Sequence, residues 1–145
     1  MMRLTVWLTV AFSLIFLTEQ AAFAEDIDGI WLTENRKAKV DIYSCDDNKC
    51  GKIIWLEEPF NDDGTPKLDA KNPDTNKHGN SLIGTIMIWD MRPDKENKWK
   101  KGQIYDASKG EIYKAKMELK DINTLSVSGC LLFICKKQIW TRSSL

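Results

Sequence analysis

The chain has 145 residues, with 21 Lys and Arg against 21 Asp and Glu, so its formal net charge is zero. That balance gives no electrostatic reason to expect nucleic acid or an anionic membrane surface as a partner. Once an N-terminal leader is set aside, about 120 residues remain, enough for one domain around a single core.

The leader is residues 1–24. Arg3 supplies a positive start, Leu4 to Leu17 is an apolar run without charge, and Ala22-Phe23-Ala24 places small residues where a signal peptidase reads. This pattern predicts a secretory signal peptide cut before Glu25, and a periplasmic or secreted domain over 25–145. The run is shorter than the roughly 20 residues a membrane-spanning helix needs. No Cys sits at the cleavage site, which argues against a lipoprotein, and no later segment is long and apolar enough to span.

From there the chain is a series of short strands with no convincing helix. Gly29-Ile30-Trp31-Leu32 is the first and Lys39 to Ser44 the second. After the polar turn Asp46-Asp47-Asn48-Lys49 comes Gly51 to Leu56, a continuous apolar run suited to a covered strand. Ser81 to Trp89 is the fourth, with Gly84 marking a bend or a close backbone approach. Pro93 to Asn97 reads as a turn, and Trp99 to Tyr105 as the fifth strand.

The sixth strand has the clearest pattern. Tyr113, Ala115, Met117 and Leu119 fall on one parity and Lys114, Lys116, Glu118 and Lys120 on the other. That is the period of a strand with one buried and one wet face. Asp106, Ser108 and Gly110 suit a short hairpin loop before it. Thr124 to Ser128 and Lys137 to Arg142 complete the set. Eight short sequential strands predict an all-β, up-and-down antiparallel barrel, which has no exposed edges; a two-sheet sandwich is the alternative.

Two features interrupt this regularity. The connection from Glu57 to Asn80 is long, polar and rich in turn residues, the mark of a lid, a binding loop or a disordered segment. The four cysteines form two pairs with equal gaps, Cys45 and Cys50, Cys130 and Cys135. Of three possible connectivities, the simplest in an oxidising compartment joins each local pair; a four-thiolate zinc site is the competing reading. The second pair encloses Leu131-Leu132-Phe133-Ile134, where a turn is normally polar. This tip either folds inward to plug one barrel mouth, the favoured reading, or stays exposed to meet a ligand, a partner or another copy.

Gly29-Ile30-Trp31 has the G-x-W form of the first strand of lipocalin-type barrels, and Arg142 stands where such barrels place a late Arg over that Trp. More broadly, the chain resembles the bacterial domain of unknown function 2147 family, small exported proteins with a lipocalin-like barrel. The resemblance rests on Gly29-Ile30-Trp31, Val40-Asp41-Ile42-Tyr43, Cys50 to Leu56, Asn72-Pro73-Asp74 and Leu82-Ile83-Gly84. It continues through Trp99-x-x-Gly102-x-Ile104-Tyr105-Asp106, Gly110-x-x-Tyr113 and Trp140-Thr141-Arg142. Ala107, Ser128 and Asn80-Ser81 depart from the family pattern, the latter two where basic residues are usual. The resemblance implies a lipocalin- or calycin-like fold and brings no established activity.

No nucleophile, base and orienter assemble from the sequence, so no catalysis and no cofactor are expected. His78, the single histidine, reads as a solvated loop residue, and Asn61 to Gly64 lacks the ligand spacing of a calcium loop. The rings and thioethers are more informative, since small barrels are packed solid or hold one small ligand. Tyr113 and Met117 are the best candidates to line a cavity for a small hydrophobic or amphipathic molecule. Tyr105, Met87 and Trp89 are further candidates, and Phe133 is a contact at the tip. The alternative is an envelope interaction module with a packed barrel, using the 57–80 loop and the 131–134 tip toward a protein partner or as a homodimer.

Overall fold

The computed structural model describes residues 26–145, so the signal-peptide reading of 1–24 lies outside the described residues. Eight strands follow in order: β1 Gly29–Leu32, β2 Ala38–Cys45, β3 Asn48–Leu56, β4 Ile86–Lys95, β5 Lys98–Asp106, β6 Glu111–Asp121, β7 Thr124–Leu131 and β8 Ile134–Ser143. Each pairs antiparallel with the next, and β8 returns to β1 through Trp31 opposite Arg142, closing the barrel. The all-β, up-and-down barrel expected from the sequence is therefore the fold, and the sandwich is excluded.

Alternation places the core. On β6, Ala115, Met117 and Leu119 are buried and Tyr113 is half-buried, while Lys114, Lys116 and Lys120 face water. Trp31, Val40, Ile42, Ile88, Met91, Leu125 and Trp140 meet them with no exposed surface. Each such side chain contributes roughly 1.5–3 kcal/mol by leaving water. Large residues lie over small ones across the middle of the barrel. Met91 occupies the space at Gly102, Val40 and Ile88 close on Gly51, and Ile104 and Tyr113 close on Gly129. This interdigitation fills the middle of the barrel.

One end is closed by residues 26–28 ahead of β1 and by Arg142 on β8. Ile27 is fully buried, and its carbonyl accepts the indole N–H of Trp31 at 2.9 Å. The Arg142 guanidinium lies 4.3 Å from the Trp31 ring centre and donates to the Asp26, Asp28 and Ile122 carbonyls. The late Arg thus covers the first-strand Trp, a contact worth about 0.5–2 kcal/mol. Gly29 has φ +132°, and a Cβ there would stand 2.9 Å from Arg142 Nη1, so only glycine suits the G-x-W motif here.

Several boundaries differ from the sequence reading: β3 starts at Asn48 and not Gly51, β7 runs on to Leu131, and β8 starts at Ile134 and not Lys137. The fourth strand starts at Ile86, not Ser81, because Ser81 bridges to Leu68 and Gly84 turns at φ +98°. It also runs through Pro93, with the turn at Glu96-Asn97. The last β4 residue paired with β3 is Met91, opposite Lys49, after which β4 pairs with β5 alone. A proline missing its N–H costs no ladder bond on that free side.

Up-and-down connectivity sorts the turns. The turns at 46–47, 96–97 and 122–123 lie at the closed end with residues 26–28 and Arg142. The turns at 33–37, 107–110 and 132–133 lie at the opposite mouth, together with the long 57–85 connection.

Candidate functional site

At the mouth, β7 and β8 stay in register up to Leu131 opposite Ile134, leaving a two-residue turn of Leu132 and Phe133. Cys130 and Cys135 are directly opposite each other and bonded, whereas the Cys45–Cys50 bond runs diagonally across β2 and β3, Cys45 being opposite Asn48 and Cys50 opposite Tyr43. Leu131, Leu132, Phe133 and Ile134 are 66%, 82%, 89% and 72% exposed. The inward plug is thereby overturned. An unbroken ladder clamped by a disulfide has no slack with which to fold back, so the tip stands clear of the barrel. Leu132 adopts φ +55°, a left-handed conformation that costs a branched residue about 1–2 kcal/mol.

The long connection is fastened beside the tip. Asp69, 2% exposed, accepts the Tyr105 hydroxyl at 2.6 Å on one oxygen and the Asn72 amide at 2.6 Å on the other. Its own backbone N–H donates to the Asn80 carbonyl. Lys71 Nζ donates to the Ser108 carbonyl at 2.6 Å, and the Lys71 backbone lies so close to Gly110, at φ +73°, that a side chain there would collide. His78 Nε2 meets the Asn72 carbonyl at 2.8 Å, so the histidine pins the loop instead of standing free in water. Burial, reinforced by the Asp69 carboxylate, pushes the Tyr105 phenol well above its ordinary range. With both Asp69 oxygens occupied and the pair sealed from solvent, this is a latch holding the connection on the β5–β6 turn.

The six candidate contact residues occupy three places. Met117 is buried in the core, and Met87 is half-buried against it. Tyr113 is at the rim, its hydroxyl donating to Glu111, which raises its phenol, and Lys109 Nζ is 6.0 Å from its ring centre. Trp89 is opposite Gln103, on the face away from Gly102 and Ile104, so it sits on the outside of the barrel. Tyr105 is likewise one residue off Ile104 and lies outside, beneath the long connection. Phe133 is the outermost residue of the tip. Asp69 and Asn72 were missed as a site by sequence reasoning; a buried carboxylate in a polar loop carries no local signal of its burial.

Two clefts of about 500 and 580 Å3 on the long connection are open and polar, one at Gly79 to Thr85 and one at Glu58, Phe60, Asp63 and Lys67. Among the described residues, every buried side-chain nitrogen and oxygen has a hydrogen-bond partner, and no cluster of three or more His, Cys, Asp or Glu could hold a metal ion. No helix among them is long and apolar enough to cross a membrane. What the mouth offers is apolar contact area at a rigid tip, beside a phenol and lysines.

A family model described as an uncharacterized protein conserved in bacteria (DUF2147) matches residues 29–142. The chain belongs to this family. A solved structure, protein HP1028 from Helicobacter pylori, described as belonging to the lipocalin family, is similar with a TM-score of 0.71 and 20% identity. The match covers 82% of this chain and 84% of that one. No curated protein matches the chain. The family member described here thus has a lipocalin-like barrel, and its two disulfides fit an oxidising, extracytoplasmic location.

Proposed function

We propose that this DUF2147 protein is exported to the periplasm or beyond and binds a small hydrophobic or amphipathic molecule at the barrel mouth, without catalysis. The observation that carries the reading is the rigid tip, four apolar side chains held exposed by a disulfide. Natural soluble surfaces seldom keep such a cluster without a use. The lipocalin-like fold supports the same reading. The filled middle of the barrel limits depth, so the molecule lies along the tip and the Tyr113 rim instead of deep in the lumen. A second reading draws on the same filling: an interaction module whose 57–80 loop and 131–134 tip meet an envelope protein or another copy.

Native mass spectrometry on the mature protein purified from its own envelope, followed by organic extraction, tests the proposal. The expected result is a reproducible apolar adduct, reduced in Phe133→Ser while the fold is kept. A clean apo mass overturns it, and a stable heavier assembly selects the second reading.

A further inference from the structure

The zero net charge of the chain conceals a segregation at the mouth. The 57–85 connection carries six carboxylates against three lysines, whereas 111–143 carries three carboxylates against six basic residues. Lys114, Lys116, Lys136 and Lys137 are exposed and take part in none of the ion pairs among the described residues. Register places them around the apolar tip. Lys114 is opposite Cys130, Lys116 and Lys137 flank Ser128 on either side, and Lys136 is opposite Gly129. The carboxylates close by are engaged: Glu111 by the Tyr113 hydroxyl, Glu34 by the Ile139 N–H, and Glu118 by Lys98 and Lys120.

We infer that the β7–β8 tip is a docking point for an anionic phospholipid bilayer, with Leu131 to Ile134 entering the acyl boundary and the four lysines meeting lipid phosphates. Dimensions support this occupant. At about 3.3 Å per strand residue, the lysines stand roughly 8–15 Å behind the end of the tip. An interfacial apolar element sinks about 5–10 Å into the boundary, which leaves the ammonium groups at headgroup level. Four apolar side chains alone give weak, reversible attachment, and stable docking takes a second signal. Each lysine near an anionic surface strengthens binding about five-fold. The acidic long connection shares the mouth and is repelled, so the barrel leans with β6–β8 toward the membrane. This inference shares the tip with the proposal above but requires no single molecule to be held.

The test is co-sedimentation of the mature, disulfide-intact protein with vesicles of phosphatidylglycerol and phosphatidylcholine, or of phosphatidylcholine alone, at about 0.1 M salt, where screening reaches about 10 Å. Binding is expected to be at least about ten-fold stronger on the anionic vesicles and to fall toward the neutral level in 1 M salt. Phe133→Ser should weaken it about ten-fold. Lys136→Gln with Lys137→Gln should weaken it only on anionic vesicles. Equal binding to both vesicles, no binding to either, or unchanged affinity in Phe133→Ser would overturn the inference. So would a tip-dependent dimer without vesicle binding, which would identify a second copy as the occupant. A fluorescent twelve-carbon acyl probe below its micelle concentration separates the two proposals. Probe binding without vesicle binding ends the bilayer inference alone, and vesicle binding without probe binding ends the small-molecule reading alone.

Discussion

Two hairpins at opposite ends of the barrel are each stapled by a disulfide with the same sequence separation, one diagonal and one directly across, and carry opposite chemistry. Cys45 and Cys50 close a turn of Asp46 and Asp47, whereas Cys130 and Cys135 close a turn of Leu132 and Phe133. Both turns put their first residue at positive φ, 51° at Asp46 and 55° at Leu132. Aspartate tolerates that conformation and leucine does not. The polar hairpin is also tied back, with Lys49 Nζ 2.5 Å from Asp28 and Ser44 Oγ donating to the same carboxylate at 2.9 Å. The apolar hairpin has only its backbone ladder and its disulfide. The difference teaches that the staple sets shape at both ends, while the residues inside it decide whether an end belongs to the fold or to a contact.

Removing each staple is the strongest way to break the comparison. In the chain-entropy account, closing so short a loop contributes about 2 kcal/mol, so Cys45→Ala with Cys50→Ala and Cys130→Ala with Cys135→Ala should lower unfolding stability in urea by similar amounts. Only the second pair should also weaken apolar adduct formation and vesicle binding, because only it frees the tip to rearrange. Equal loss of binding from both pairs would dissolve the distinction between the ends.

A second test addresses what holds the mouth in place beside the tip. Tyr105→Phe leaves the buried Asp69 carboxylate without one of its two donors and should cost about 1–2 kcal/mol. The sign with pH follows from the raised phenol. A group whose folded value lies above its unfolded value of about 10 contributes fully below that pH and loses its contribution as pH climbs beyond it. The urea midpoint difference between wild type and Tyr105→Phe, followed from pH 8 to 11, should therefore shrink at the alkaline end. A difference that stays constant would mean that the latch does not depend on the phenol proton.

Much of the barrel was legible because strands announce themselves by parity. Tyr113 to Leu119 alternates without error, the order of the eight strands and the local cysteine pairs followed from spacing, and the Trp31–Arg142 closure followed from the resemblance to lipocalin-type barrels. The misplaced start of β4 arose because Ser81-Leu82-Ile83 is apolar enough for a strand, yet Gly84 at positive φ turns it into the long connection. The site was harder to read. An apolar run between two cysteines has the composition of a plug and of a probe alike, and only the register of β7 on β8 separates them. Trp89 and Tyr105 illustrate the same difficulty, since a bulge between β3 and β4 near Trp89 and one between β5 and β6 from Trp99 to Gly102 shift which face a residue takes. A bulge leaves no dependable mark in a single sequence.

The smallest expected effect is the sharpest. Leu132→Asn keeps the turn, the disulfide and the strands, and replaces a residue strained at φ +55° by one that accepts that conformation. Stability should rise by about 0.5–1 kcal/mol, measured by urea unfolding, while vesicle binding falls because one of four apolar side chains is lost. The opposite signs matter more than the magnitudes. A gain in stability with a loss of binding identifies Leu132 as a residue kept against the preference of its own backbone, as a contact surface requires. Loss of stability would mean that the leucine serves the hairpin itself, and the two hairpins would then differ in composition and not in purpose.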